Sequence, residues 1–189
     1  AGALLSLGFG LAADLGGDDD QVLIQLAAVP HGVLDPATEV LRGWFEGAVH
    51  LYAGRFEPAV EATKRIQAIA PPEMRYIADT LDLMCLWVQG RVDEVLGRID
   101  GVVRAARASN IVYTLSLGVH TASIAYSHTG EITKARELLD EARAASPAPT
   151  KGTRTVHTAM ATASLLLAEG DEPGALAVLR DAMEHHGLD

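Results

Sequence analysis

The chain has 189 residues, of which 49% are hydrophobic, and its formal net charge is −10. This apolar content is enough to bury a continuous core, which excludes a disordered chain. The acidic balance excludes a segment that binds nucleic acid by itself, because phosphate contacts require a concentrated basic surface. No run of 18 apolar residues occurs, so the sequence predicts no membrane span.

The beginning of the chain, AGALLSLGFGLAADL, lacks the basic region of a signal peptide and is followed by the aspartates 18–20. Three consecutive aspartates do not have the alternating spacing of a calcium loop, and they suit a helix N-terminus. The single cysteine, Cys85, cannot form an internal disulfide and lies in an apolar stretch, LDLMCLWV. We therefore expect a buried structural thiol in a cytoplasmic protein.

Five helical hairpins are predicted in chain order, at residues 1–33, 36–70, 73–109, 111–147 and 153–188. In each of them a glycine separates two helical patterns, and consecutive glycines are 36 to 40 residues apart. These glycines are Gly17, Gly54, Gly90, Gly130 and Gly170. A fixed period in this range is typical of a helical solenoid, so each glycine is predicted to lie in a turn.

Other positions keep register with the glycines. Small or β-branched residues occur five positions after each glycine, where they would let two helices approach closely: Val22, Ala59, Val95, Ala135 and Ala175. Seventeen positions after two of the glycines stand Pro71 and Pro147, where a helix should end.

The third copy carries the residues Ser123, Tyr126, Gly130, Ala135, Ala142 and Pro147. In this pattern it resembles the tetratricopeptide repeat, with a small residue early in the first helix, glycine at the turn, and Ala, Ala and Pro along the second helix. The second copy departs from the pattern at Leu83, Val95 and Val102. The resemblance implies an all-α fold, a TPR-like α–α superhelix of about five hairpins that forms one domain over residues 1–189. Because the chain starts with Ala and stops at HHGLD, we interpret it as part of a longer protein.

Signals for catalytic chemistry are missing from the sequence. It contains no phosphate-binding G-x-x-x-x-G-K-[ST] loop and no G-x-S-x-G motif. The cluster EHH at 184–186 places neighbouring residues on different helix faces, so it predicts no metal site. We therefore expect no enzyme activity, no cofactor and no metal.

The first helix of each pair is expected to line one wall of the array, which in helical solenoids is the binding surface. Counting back from the glycines assigns aromatic, thioether, hydroxyl and imidazole side chains to this wall. They are Trp44, Tyr52, Thr80, Met84, Trp87, His120, His128, His157 and Met160. Such a wall suits a protein segment or a small apolar or neutral ligand. The alternative is that these side chains fill the core between helices.

The Ala-, Leu- and Gly-rich repeats are similar to the sensor region of large bacterial LuxR-type, MalT-like transcription regulators. In that family an NTPase precedes the repeats and a helix-turn-helix follows them. The resemblance implies a cytoplasmic segment that receives a small inducer or a regulatory protein. Two alternatives remain: a scaffold or adaptor from another multidomain protein, and a helical enzyme domain, which would need a buried polar pocket.

Overall fold

The structure, a computed structural model, describes residues 23–24, 26–28, 32, 34–109, 112–145 and 153–186. The fold is all-α, as predicted, and the described residues form eight α-helices and no strand. The helices are α1 (Pro36–Tyr52), α2 (Phe56–Ile69), α3 (Arg75–Val88), α4 (Val92–Ser109), α5 (Val112–His128), α6 (Ile132–Ala145), α7 (Thr153–Ala168) and α8 (Glu172–His186). A short 3₁₀ turn, Pro72–Met74, precedes α3. The predictions for Gly17, Val22, Pro147 and the aspartates 18–20 lie outside the described residues.

The chain divides into two compact units, Ala1–Gln89 and Gly90–Asp189. In the first unit α1 packs against α2, and α3 packs against both. Asp35 caps α1 by accepting a hydrogen bond from the Thr38 amide at 3.1 Å, and Pro36 takes the first helical position. A Cβ atom at Gly43 would overlap Ile66 of α2, and one at Gly47 would lie 2.5 Å from a methyl group of Leu81 in α3. The two glycines therefore let α1 lie close to its neighbours.

The second unit contains α4 to α8. Within it α5 packs against α4, α6 and α7, while α7 also packs against α6 and α8. Helix pairs α1/α2, α5/α6 and α7/α8 fall within the predicted hairpins 36–70, 111–147 and 153–188. The predicted hairpin 73–109 consists of α3 and α4, which belong to different units.

The turn glycines share a left-handed backbone, with φ of +71° at Gly54, +73° at Gly90, +78° at Gly130 and +84° at Gly170. At Gly130 the glycine amide donates to the Ser127 carbonyl at 3.2 Å, and the next amide, that of Glu131, donates to the Tyr126 carbonyl at 2.9 Å. This is the Schellman motif, in which carbonyls of the last helical turn accept hydrogen bonds from the amides that follow the helix. The same two bonds recur after Gly54 and Gly170. No atom would contact a Cβ at these glycines, so backbone conformation rather than packing requires them.

The residue five positions after each turn glycine that the structure describes is buried, as the register predicts. Ala59, Val95 and Ala135 are completely buried, and Ala175 nearly so. Across the α5/α6 contact, the hydroxyl of Ser123 donates to the Ala135 carbonyl at 2.8 Å. The small side chain of Ala135 therefore lets α5 and α6 approach closely.

Candidate functional site

In the first unit, two residues of the predicted wall lie in the core. Trp44 is buried and packs edge-to-face on Phe45, with the ring centroids 5.4 Å apart. Thr80 is also buried, and its hydroxyl donates to the Tyr76 carbonyl one turn earlier. For these two residues the alternative interpretation holds, in which the side chains fill the core between helices. Tyr52 is the last residue of α1, and its side chain lies outside the described part of the structure.

Accessible residues of the predicted wall in this unit cluster on α3. Met84 and Trp87 are half-buried, and the adjoining Val88 is exposed. Their spacing of three and four residues puts them on one helix face. We call these three residues the α3 apolar patch. It offers an aromatic and a thioether side chain to a ligand.

The thiol of Cys85, next to this patch, is a structural group. The side chain is buried, and its Sγ lies 3.9 Å from the Thr63 hydroxyl. Burial raises the pKa of the Cys85 thiol, which disfavours the reactive thiolate. The prediction of a buried structural thiol is confirmed.

In the second unit, His120 of α5 and His157 of α7 form a buried pair. Their rings are nearly parallel, at 17°, with centroids 6.5 Å apart. The Thr158 hydroxyl lies within hydrogen-bonding distance of His120 Nε2, at 3.1 Å. The register thus correctly places the two imidazoles side by side on adjacent helices, but the structure puts them in the core rather than on an accessible wall.

His128 and Met160 are both exposed. His128 is the last residue of α5, where a histidine suits the helix dipole. Among the described residues, no group of three His, Cys, Asp or Glu side chains is placed to hold a metal ion. None of the described helices is long and apolar enough to cross a membrane.

A charged cleft of about 400 Å³ between α4 and α6 was not predicted from the sequence. Buried Val103 and Leu138 contribute its apolar lining. Arg107 donates two hydrogen bonds to the Glu141 carboxylate, one of them from Nε at 2.8 Å. The other charged side chains that line it are Asp100, Arg104, Lys134 and Glu137.

One end of the charged cleft is organised around Tyr126 of α5. Its hydroxyl donates to Asp100 at 2.8 Å, and the Lys134 ammonium lies 3.8 Å from its ring centroid. The hydrogen bond from Tyr126, helped by Lys134, lowers the pKa of the Asp100 carboxyl. Burial, more than the facing carboxylate, raises the pKa of the Tyr126 hydroxyl.

Three acidic and three basic residues balance in this cleft, so its net charge selects neither anions nor cations. Its ion pairs link α4 to α6 across 34 residues of sequence, and they form a polar seam between consecutive second helices. The signal in the sequence is the spacing of charges by three to four residues on both helices, as in Asp100, Arg104 and Arg107.

A buried ion pair in the first unit is a second feature that the sequence did not reveal. Arg42 donates to the Glu39 carboxylate from Nε at 3.0 Å and from Nη2 at 2.7 Å, and both side chains are at least nine-tenths buried. Glu39 also accepts a hydrogen bond from the Gly32 amide at 2.9 Å. The Glu39 carboxylate thus accepts hydrogen bonds from both the Arg42 guanidinium and the Gly32 amide, and it holds the segment before α1 against the helix.

Comparisons with protein-family models, curated proteins and solved structures give no match to the chain. The resemblance to tetratricopeptide repeats, and to the sensor region of transcription regulators, therefore stays a prediction.

Proposed function

We propose that the chain is a helical-repeat interaction segment that binds a protein segment or a small neutral ligand and performs no catalysis. The observation that carries this proposal is the recurrence of one turn: the Schellman bonds at Gly54, Gly130 and Gly170, each followed by a buried small residue. Repeated helix pairs of this kind present extended surfaces to partners, and binding is their usual task.

The α3 apolar patch is the surface best suited to such a ligand. Trp87 and Met84 offer large apolar area at the surface, and Val88 extends it by one turn. Aromatic anchors of this kind dominate the binding energy of many interfaces. Neither lysine nor arginine occurs in α3 after its first residue, so an anionic ligand has no counter-charge on this helix.

Within this proposal, the larger protein is a cytoplasmic LuxR-type, MalT-like regulator, and the segment is its sensor. The Ala-, Leu- and Gly-rich composition of the repeats supports this assignment. Finding an NTPase domain before the segment and a basic helix-turn-helix after it in the full-length chain would support it. Other flanking domains would leave the scaffold or adaptor alternative instead.

Binding to the patch is tested with Nile red, a neutral apolar dye, on the 189-residue chain. The substitution Trp44→Phe leaves Trp87 as the sole tryptophan, so energy transfer from Trp87 to the dye reports proximity. We expect saturable binding that weakens by about tenfold in Met84→Ala, as expected for an anchor residue. Ile69→Ala, an exposed apolar residue at the end of α2, serves as the matched control. Equal affinity in both variants, or dye uptake that never saturates, contradicts the assignment of the site.

A further inference from the structure

The charged cleft of the second unit is bounded at both ends by ion pairs between α4 and α6. Arg107 pairs with Glu141 at one end, and Lys134 pairs with Asp100 at the other. Asp100 and Arg107 are two helical turns apart, so the two ion pairs lie about 10 Å apart along the cleft. The space of about 400 Å³ that they enclose is large enough for a small ligand.

The two ion pairs also fix the register of α4 against α6. Each joins residues that are 34 positions apart in the sequence. The same register places Val103 of α4 level with Glu137 of α6, and Arg104 of α4 level with Leu138 of α6. Each of these two charged side chains therefore has an apolar side chain, rather than an opposite charge, at its own level on the facing helix.

Arg104 and Glu137 are the charged lining residues that the two ion pairs do not use. Both are exposed, and within the described part of the chain neither side chain forms a hydrogen bond or an ion pair. Val103 and Leu138 are only 4% and 6% exposed and form the apolar floor of the cleft. The middle of the cleft thus presents a guanidinium on one wall, a carboxylate on the other, and apolar groups from both helices.

We propose that the charged cleft binds a small aliphatic zwitterion, a molecule with an ammonium and a carboxylate at opposite ends of a short apolar chain. The guanidinium of Arg104 pairs with the carboxylate, because its planar fork of donors matches that group. Glu137 accepts hydrogen bonds from the ammonium, which has three donors. The apolar body of the ligand lies against Val103 and Leu138, and the ion pairs limit its length to about 10 Å.

The charges of the cleft select a zwitterion over simpler ligands. A monocarboxylate would pair with Arg104 but would cover Glu137 without pairing it, and the net charge of −10 on the chain opposes its approach. A monoamine would cover Arg104 in the same way. A zwitterion is neutral overall and pairs with both side chains.

This inference goes beyond the proposed function, because it assigns a second binding site. The cleft lies in the second unit, and none of its lining residues belongs to the α3 apolar patch. The two sites can therefore be tested separately on the same 189-residue chain.

The test titrates 6-aminohexanoate into the ¹⁵N-labelled chain at about pH 7 and follows the amide signals by two-dimensional NMR. Hexanoate and hexylamine have a similar length but carry only one of the two charges. We expect saturable shifts of amides in α4 and α6 with 6-aminohexanoate, and a Kd about fivefold higher with either of the other two ligands.

Two substitutions link each protein charge to one end of the ligand. Arg104→Gln should raise the Kd of 6-aminohexanoate about fivefold and leave that of hexylamine unchanged, because hexylamine has no carboxylate. Glu137→Gln should do the same and leave the Kd of hexanoate unchanged. Both side chains are exposed, so circular dichroism should show unchanged folding. Arg180→Gln and Glu184→Gln, which remove exposed charges on α8, serve as matched controls and should bind like the parent.

Equal affinity for all three ligands, or an unchanged Kd of 6-aminohexanoate in Arg104→Gln and Glu137→Gln, overturns the inference. Shifts that never saturate, or that fall outside α4 and α6, also overturn it. Met84→Ala should leave the Kd of 6-aminohexanoate unchanged, and Arg104→Gln should leave Nile red binding unchanged. If 6-aminohexanoate fails to bind while Met84→Ala still weakens Nile red binding, only this inference is lost.

Discussion

Gly130, two residues after the end of α5, has a φ of +78°, a left-handed conformation in which a Cβ atom would crowd a backbone carbonyl oxygen. The space around it is open, so the requirement for glycine comes entirely from the backbone. Gly97, in the middle of α4, has equally open surroundings but an ordinary helical backbone. Glycine therefore stabilises the fold at position 130 and destabilises it at position 97.

Replacing each glycine by alanine should separate these two effects. Gly130→Ala should lower the free energy of unfolding by about 1 kcal/mol, because alanine is strained in the left-handed region. Gly97→Ala should raise it by about 0.5 to 1 kcal/mol, because alanine loses less entropy in a helix. Urea unfolding of both variants measures the two changes. Midpoints that move in the same direction would contradict the assignment of Gly130 to a backbone-determined turn.

The pKa of the Asp100 carboxyl is lower in the folded chain than in the unfolded chain, where it is about 3.9. The ionised carboxylate therefore stabilises the fold fully at pH values above the unfolded pKa. This stabilisation is lost as the pH falls through the folded pKa. The side chain is 57% exposed, and solvent screening limits the effect to about 0.5 kcal/mol. Asp100→Asn should therefore lower the urea midpoint at neutral pH, and its midpoint should approach that of the parent as the pH falls below the folded pKa of the Asp100 carboxyl.

Tyr126→Phe provides the control for this prediction, since it removes the hydroxyl that donates to Asp100 and keeps the ring under Lys134. In a Tyr126→Phe background, Asp100→Asn should have a smaller effect than in the parent. Additive effects would show that the hydrogen bond does not cause the pKa shift.

At the scale of elements, small side chains set how closely the paired helices approach. Gly43 and Gly47 do this between α1 and its neighbours, and Ala135 does it between α5 and α6. The register to the turn glycine was enough to predict Ala59, Ala135 and Ala175 at these contacts. It did not predict the polar seam, because the partners Asp100 and Lys134 are brought together only when α4 and α6 pack side by side.

Changing one contact residue and one neighbour on α6 tests the register. Ala135→Glu should cost several kcal/mol, because it places an unpaired charge where the side chain is completely buried. Glu137→Ala alters an exposed position two residues away and should change stability by less than about 0.5 kcal/mol. The urea midpoints of the two variants measure the difference. Equal midpoints would show that Ala135 is not in a close helix–helix contact.

For the whole molecule, the function proposed here requires that the chain neither hydrolyse ATP nor bind duplex DNA. Its sequence has no phosphate loop, and its charge of −10 opposes association with a polyanion. Phosphate release should equal that of a buffer blank, and anisotropy of labelled DNA should not change at physiological salt. DNA binding with a micromolar Kd that weakens as salt rises would contradict the proposal.

The sequence by itself determined the helical class, the turns and the buried small residues, because these depend on interactions within a few residues. A left-handed glycine, a capping aspartate and the spacing of alanines act locally, so their pattern is readable before the chain folds. Only the tertiary structure decided which side chains of the first helices reach the surface. Trp44, His120 and Met160 occupy the same register, yet the first two are buried and the third is exposed. Their exposure depends on whether another helix packs over them, and spacing along one helix carries no information about that neighbour.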